Sequence, residues 1–277
     1  NRLRNSTILS TLARTGIAGA PAALLLLVPQ ATHAATSIDA DQTTVVKTST
    51  AGDVWIGDDG SITLKNGGTA VTVDSSNTVG LDDGGYISNT GGNDGDAGIV
   101  INAGQTTTIA NAGAIGVTET FTGEDTDSNG IADGPIASAS NRYGILVGPG
   151  ATTTATIGNT GTITVDGVNS GGIVAKSDMV GSISNTGTIV VRGDGSAGIA
   201  TRGVTGNVTV EGAVNVVGAG AQGVVLAGDV GGTFRIQGAI SQSASYTTDA
   251  STTQTLSRTA LRTGKAAVEV SGSVAGG

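Results

Sequence analysis

Ile183-Ser184-Asn185-Thr186-Gly187-Thr188-Ile189-Val190-Val191 decides the fold, because this stretch recurs along the chain. Anchored on its glycine, it repeats from Ile157 to Val165 around Gly161 and from Ile109 to Val117 around Gly113. Looser copies surround Gly212 (Val208 to Val216) and Gly238 (Phe234 to Ile240), and a truncated copy, Ile87 to Gly91, opens the series. The glycine spacings are 22, 48, 26, 25 and 26. A period near 26 with one nearly doubled gap marks a repeat architecture in which each unit buries its apolar face only against its neighbours.

A second block keeps the same beat: Gly98-Ile99-Val100-Ile101, Gly144-Ile145-Leu146-Val147, Gly172-Ile173-Val174-Ala175, Gly198-Ile199-Ala200 and Gly223-Val224-Val225-Leu226. Each repeat thus holds short β-branched runs separated by Gly, Asn, Asp, Ser and Thr. Apolar side chains fall on alternate residues (Ile183, Ile189, Val191), the period of a strand with one buried face. Beyond the first 34 residues no stretch has sustained helical spacing. The expected fold is all-β, a right-handed parallel β-helix from about Val54 to Gly277, residues 35–53 forming an N-terminal cap or linker. Handedness follows the general preference for right-handed parallel crossovers.

In such a coil equivalent residues stack about 4.8 Å apart. Ile157, Ile183, Val208 and Phe234 are expected to form one inward ladder. Asn89, Asn111, Asn159 and Asn185 are expected to form another, with Val210 and Ile236 taking that slot later. Buried amides need partners, which neighbouring Asn side chains supply along the axis. Forty-seven of 277 residues are glycine, a content that would suit a disordered chain. Their fixed offsets beside β-branched residues point instead to tight corners.

The first 34 residues have the layout of a secretory signal peptide. Arg2, Arg4 and Arg14 make a positive start, Ile17 to Val28 is an apolar core, and Thr32-His33-Ala34 offers cleavage before Ala35. The apolar run is too short for a spanning helix. Removing it takes three of the 13 basic residues and leaves ten against 22 acids, a net charge of −12. That balance, with six aromatics, disfavours a nucleic-acid partner, which would need basic patches and stacking rings. No cysteine is present, so thiolate and disulfide chemistry is excluded.

An exported chain with recurring SNTGTI and GI-V blocks, rich in Gly, Thr, Asn and Ser, resembles the passenger domains of Gram-negative autotransporters over roughly Gly52 to Gly277. The resemblance implies display at the outer-membrane surface or release from it, through a C-terminal β-barrel translocator. It implies as partner a surface ligand, a protein or glycan of a host or neighbouring cell. A barrel tail of alternating ten-residue strands is not found here. Since the chain opens on Asn1 and stops at Gly277 in mid-repeat, it is expected to be a fragment of a longer protein, or else a secreted β-helix of another family.

Two interruptions break the rhythm, about 118–142 and 241–262. The first contains Asp125-Thr126-Asp127-Ser128-Asn129-Gly130-Ile131-Ala132-Asp133, which resembles the calcium loops of EF-hands and thrombospondin type 3 repeats. Side-chain oxygens of Asp125, Asp127, Asn129 and Asp133, with the Ile131 carbonyl, can converge on a hard cation while Gly130 permits the turn, and Glu124 is an additional candidate. The terminal bidentate Glu of an EF-hand is missing, position twelve being Ile136. The bland alternative is an acidic solvated loop. Arg192-Gly193-Asp194 matches an integrin-recognition tripeptide but reads as a turn. The only histidine, His33, leaves with the signal, so the mature chain has no Ser-His-Asp arrangement. The acid pairs Asp82-Asp83, Asp58-Asp59 and Asp94/Asp96 are flanked by Gly and read as turns rather than as a general acid and base. The expected function is a non-catalytic surface stalk or adhesin-like passenger. The alternatives are a polysaccharide-acting β-helix enzyme with its site elsewhere, and a calcium-dependent surface-layer or matrix protein.

Overall fold

In a computed structural model that describes residues 35–248 and 263–277, the chain winds into a parallel β-solenoid of about eight turns. Every turn gives one strand to each of three eight-stranded sheets. The first sheet runs from Thr36–Ile38 to Phe234–Ile236, the second from Asp41–Gln42 to Ile240–Ser243, and the third from Val46–Lys47 to Val268–Val270. All strand pairs within the sheets are parallel and in register between successive turns, for example Ile157 on Ile183 and Ile163 on Ile189. The only helix among the described residues is the single turn Thr48–Ala51. The proposed signal peptide lies outside the described residues.

The interior is a stack of β-branched ladders. Ile109, Ile157, Ile183, Val208 and Phe234 lie one above another in the first sheet. Ile62, Ile87, Ile115, Ile163, Ile189 and Val214 do the same in the second, and Ile99, Ile145, Ile173, Ile199 and Val224 in the third. All but Phe234 are buried. Stacked β-branched residues fit a pleated wall, with each face removing the next from water. In the last four turns a column of bridges, Met179 to Val204 to Val230 to Val274, closes the corner between the third and first sheets.

Glycines sit where backbone meets backbone. A Cβ on Gly187 would lie 2.0 Å from the carbonyl oxygen of Gly161, and one on Gly161 would lie 2.0 Å from that of Gly113. No positive φ is involved; the successive coils simply leave no room at the corner between the first and second sheets. Gly144 has a different reason, since its Cβ would fall 2.3 Å from Cγ2 of Ile163 across the interior.

Four expectations need correction. The coil begins at Thr36 rather than Val54, because residues 36–47 supply the first strand of all three sheets. Asn89 is not in the ladder of Asn111: Ile87 pairs with Ile115 and Asn89 with Val117 in the second sheet, and Leu81 occupies the slot before Asn111. The true predecessor of Gly113 is Gly85, whose carbonyl accepts the Ala114 N–H at 2.9 Å. The first interruption ends near Ser138, since residues 139–142 already run beside Val168 of the next turn (Val168 N to Ala139 O 2.8 Å). The second begins after Ser243, because Ile240–Ser243 completes the second sheet; residues 249–262 lie outside the description.

The other Asn residues stack as expected. Asn111 Nδ2 donates to Asn159 Oδ1 at 2.6 Å and Asn159 Nδ2 to Asn185 Oδ1 at 2.7 Å. Val210 and Ile236 then follow in the same slot. Asn111 Oδ1, at the start of the column beside Leu81, has no partner.

Candidate functional site

Both interruptions leave the same corner of the solenoid, between the second and third sheets. The first departs in the fourth turn, between Ala114–Val117 and Tyr143–Val147, the second in the eighth, between Ile240–Ser243 and Val268–Val270. Four turns separate their roots, about 19 Å along the axis. They nevertheless touch. Ile131 and Thr247 form an antiparallel bridge, with Ala132 N donating to Tyr246 O at 2.9 Å and Thr248 N to Gly130 O at 2.8 Å. The first loop also buries Ile131, Ala132, Ile136 and Ala137. From Gly130 onward it is a docked element with a small apolar core, while most of Thr120 to Ser128 stays exposed.

Arg142 anchors that element. Its side chain is fully buried, Nη1 donating to Asp166 O at 2.5 Å and Nη2 to Thr118 O at 2.9 Å, with Asp96 Oδ2 3.8 Å away. One guanidinium thus holds together the residue where the loop leaves, the residue where it returns and the following turn. Burial pushes the Arg142 pKa down, opposed by Asp96, Glu119, Asp166 and Asp94 around it. Glu119 holds the returning limb: Oε1 accepts the Ser138 N–H at 2.7 Å, and Oε2 accepts the Ser138 hydroxyl (2.8 Å) and the Ala139 N–H (3.2 Å).

Within the acidic loop, carboxylate oxygens of Asp125, Asp127 and Asp133 all lie within 4.8 Å of one another. Calcium–oxygen distances of about 2.4 Å make that separation compatible with one shared cation. Backbone donors already converge there: Asn129 N on Asp125 Oδ1 (3.0 Å), Gly130 N on Asp125 Oδ2 (2.8 Å) and Thr126 N on Asp133 Oδ2 (2.7 Å). The Thr126 hydroxyl and N–H hold the Asp133 carboxyl below its usual range. Ser128 and Gly130 adopt positive φ (56° and 82°), and the loop closes through Asp133 N to Glu124 O at 2.8 Å. Asn129 is tied into the loop itself: its Oδ1 accepts the Ile131 N–H and its Nδ2 donates to Asp127. The bridge to Thr247 uses Gly130 O and Ala132 N, the groups flanking Ile131.

The acid pairs in the turns work between coils. Asp58 Oδ1 accepts the Gly84 N–H, Asp82 Oδ2 accepts the Trp55 indole N–H at 2.9 Å, and Asp94 Oδ1 accepts the Ser140 N–H at 2.7 Å. Asp96 accepts from Gly68 N and Asn93 N. In the integrin-like tripeptide, Arg192 pairs with Asp166 at 3.1 Å and Asp194 Oδ1 accepts the Ala219 N–H of the next coil. A depression of about 780 Å³ runs along the corner between the third and first sheets. Its acids are likewise committed, Asp178 to Gly203 N and Asp229 to the N–H and hydroxyl of Ser273.

A smaller cleft of about 90 Å³ lies under the joined loops, lined by Glu119, Phe121, Ile136, Asp166, Arg192 and Tyr246. Desolvation raises the Asp166 pKa against the lowering influence of Arg192. This cleft is not legible in the sequence, because its residues come from five separate segments. The available signal was the aromatic count: of six aromatics, Trp55, Tyr86, Phe121 and Tyr246 are exposed, and only Tyr143 is buried.

No family profile, curated protein or solved structure matches this chain.

Proposed function

We propose that this chain is a segment of an exported, non-catalytic surface passenger of the autotransporter type, serving as a stalk that carries a recognition element on one corner. The observation that supports this reading is the placement of both insertions on one edge of a solenoid whose interior is filled with stacked aliphatic side chains. A rigid coil projects, and loops on one face recognise. The experiment is expression of the full chain in a Gram-negative host, followed by N-terminal sequencing and protease treatment of whole cells. The expected result is a mature N-terminus at Ala35 and cleavage by external protease; an unprocessed cytoplasmic chain overturns the reading.

The acidic loop supports a second statement, that it takes up calcium through Asp125, Asp127 and Asp133. With the twelfth-position acid missing, the expected affinity is weak, from about micromolar to about millimolar, as in extracellular modules. Calorimetric titration of the wild type should give a binding heat that Asp127→Ala abolishes. Calcium should slow nicking of residues 118–138 without moving global unfolding. Equal, null heats for both proteins at millimolar calcium refute it.

A further inference from the structure

We propose that the cleft between Phe121 and Tyr246, floored by the Asp166–Arg192 pair, is a binding site for a neutral sugar residue of a glycan chain. The inference rests on the surface-passenger reading and names the chemistry of its ligand. Phe121 comes from the first loop, Tyr246 from the second, and Asp166 and Arg192 from successive turns of the solenoid wall. The site therefore exists only while the two loops are docked through the Ile131–Thr247 bridge.

The lining selects its ligand by elimination. Both rings are more than a third exposed, whereas Tyr143 is buried and Phe234 packs against the core ladder. Their exposed faces offer flat apolar surface to a ligand. A purely apolar ligand would strip water from the Asp166–Arg192 pair without returning hydrogen bonds to its remaining donors and acceptors, and that desolvation is costly. An anion meets the carboxylates of Glu119 and Asp166; a cation meets the Arg192 guanidinium. Arg192 has a side chain 43% exposed and a rigid fork of donors of which one Nη is committed to Asp166 Oδ1. Asp166 offers acceptor lone pairs beside it. A ligand with hydroxyls that donate to one and accept from the other, and with a C–H face for the rings, uses every group. A pyranose edge has that chemistry. The cavity holds about three water volumes, enough for part of one ring inserted from the side, with the remainder of the chain outside.

The test is calorimetric titration of the purified chain with four neutral oligosaccharides: cellohexaose, maltohexaose, mannohexaose and chitohexaose. At least one should bind, and Tyr246→Ala and Arg192→Gln should each weaken it about tenfold or more, the scale of one lost ring contact or charge-assisted bond. Both residues are partly exposed, and unchanged far-UV circular dichroism melting establishes that the variants are folded. Trp55→Ala, on another face, should bind as the parent does. Four null titrations overturn the proposal, as does binding that survives both variants or is lost with Trp55→Ala. Heat with hexalysine in place of every saccharide would assign the cleft to cations and also overturn it. A chain that is exported and surface-exposed yet binds no sugar defeats this inference alone; a cytoplasmic chain defeats the reading beneath it.

Discussion

Replacing Asn159 by Val tests whether the amide column is a set of obligatory partners or simply filler. Asn159 stands in the middle, accepting from Asn111 at 2.6 Å and donating to Asn185 at 2.7 Å. Without it, Asn111 Nδ2 retains only a 3.4 Å approach to Thr162 O, and Asn185 Oδ1 loses its donor. Leaving a buried polar group unmade costs about 1–3 kcal/mol. Two such groups, offset partly by the better burial of a valine, give a loss of about 2–4 kcal/mol. Replacing Asn111, Asn159 and Asn185 together by Val removes all three amides at once, leaving behind only carbonyls that they approach at 3.4 Å. Val210 and Ile236 show that the slot accepts aliphatics, so the triple variant should lie within about 1 kcal/mol of the parent or above it. Urea unfolding read by circular dichroism measures the totals. Hydrogen exchange at the central coils checks that the loss is local to them, since a solenoid frays by neighbouring units. A triple variant as unstable as the three single losses added would refute the reasoning.

Gly187→Ala places a methyl 2.0 Å from the Gly161 carbonyl oxygen and should cost about 3 kcal/mol, whereas Gly134→Ala, with open space around it, should stay within about 0.5 kcal/mol; equal urea midpoints would contradict the corner geometry. Asp229 has its pKa held below 3.8, first by the Ser273 N–H and then by the Ser273 hydroxyl. A depressed folded pKa contributes stability that is present above the unfolded value and lost as pH falls through the folded one. Asp229→Asn should therefore lose less stability than the parent as pH falls through and below the ordinary carboxylate range, and an identical pH slope would sink the assignment. Arg142→Leu strands the carbonyls of Thr118 and Asp166 and unpairs Asp96, so subtilisin should nick residues 119–138 faster than in the parent while strand content is kept. Unchanged nicking would mean that the loop is held without its buried arginine.

The solenoid itself was legible because its signal is periodic. Ile157, Ile183 and Val208 recur at the same offset from their glycines, and parallel stacking in register makes each recurrence a contact. Asn89 misled because the SNTG words are alike in two sheets; only its 22-residue spacing, short of one turn, separates Gly91 from the column that runs through Gly85 and Gly113. The acidic loop could be read as a cation site from its alternating oxygens, but the hydrogen bond from the Ile131 N–H to Asn129 Oδ1 depends on local backbone angles that spacing does not carry. The loop-to-loop bridge and the cleft were not legible at all. Ile131 and Thr247 are joined through the coil count between them, and nothing near either residue in the chain announces the other.

That bridge has a consequence for how such a chain can change. Solenoids ordinarily gain or lose whole coils freely, since any coil seats on any other. Here a duplication or deletion of one 26-residue coil between Tyr143 and Ile240 would slide the two loop roots about 4.8 Å along the axis. Ala132 N and Tyr246 O, now 2.9 Å apart, would miss one another. The joined loops act as a caliper, and the stretch they span is the part of this molecule whose length is no longer free to drift.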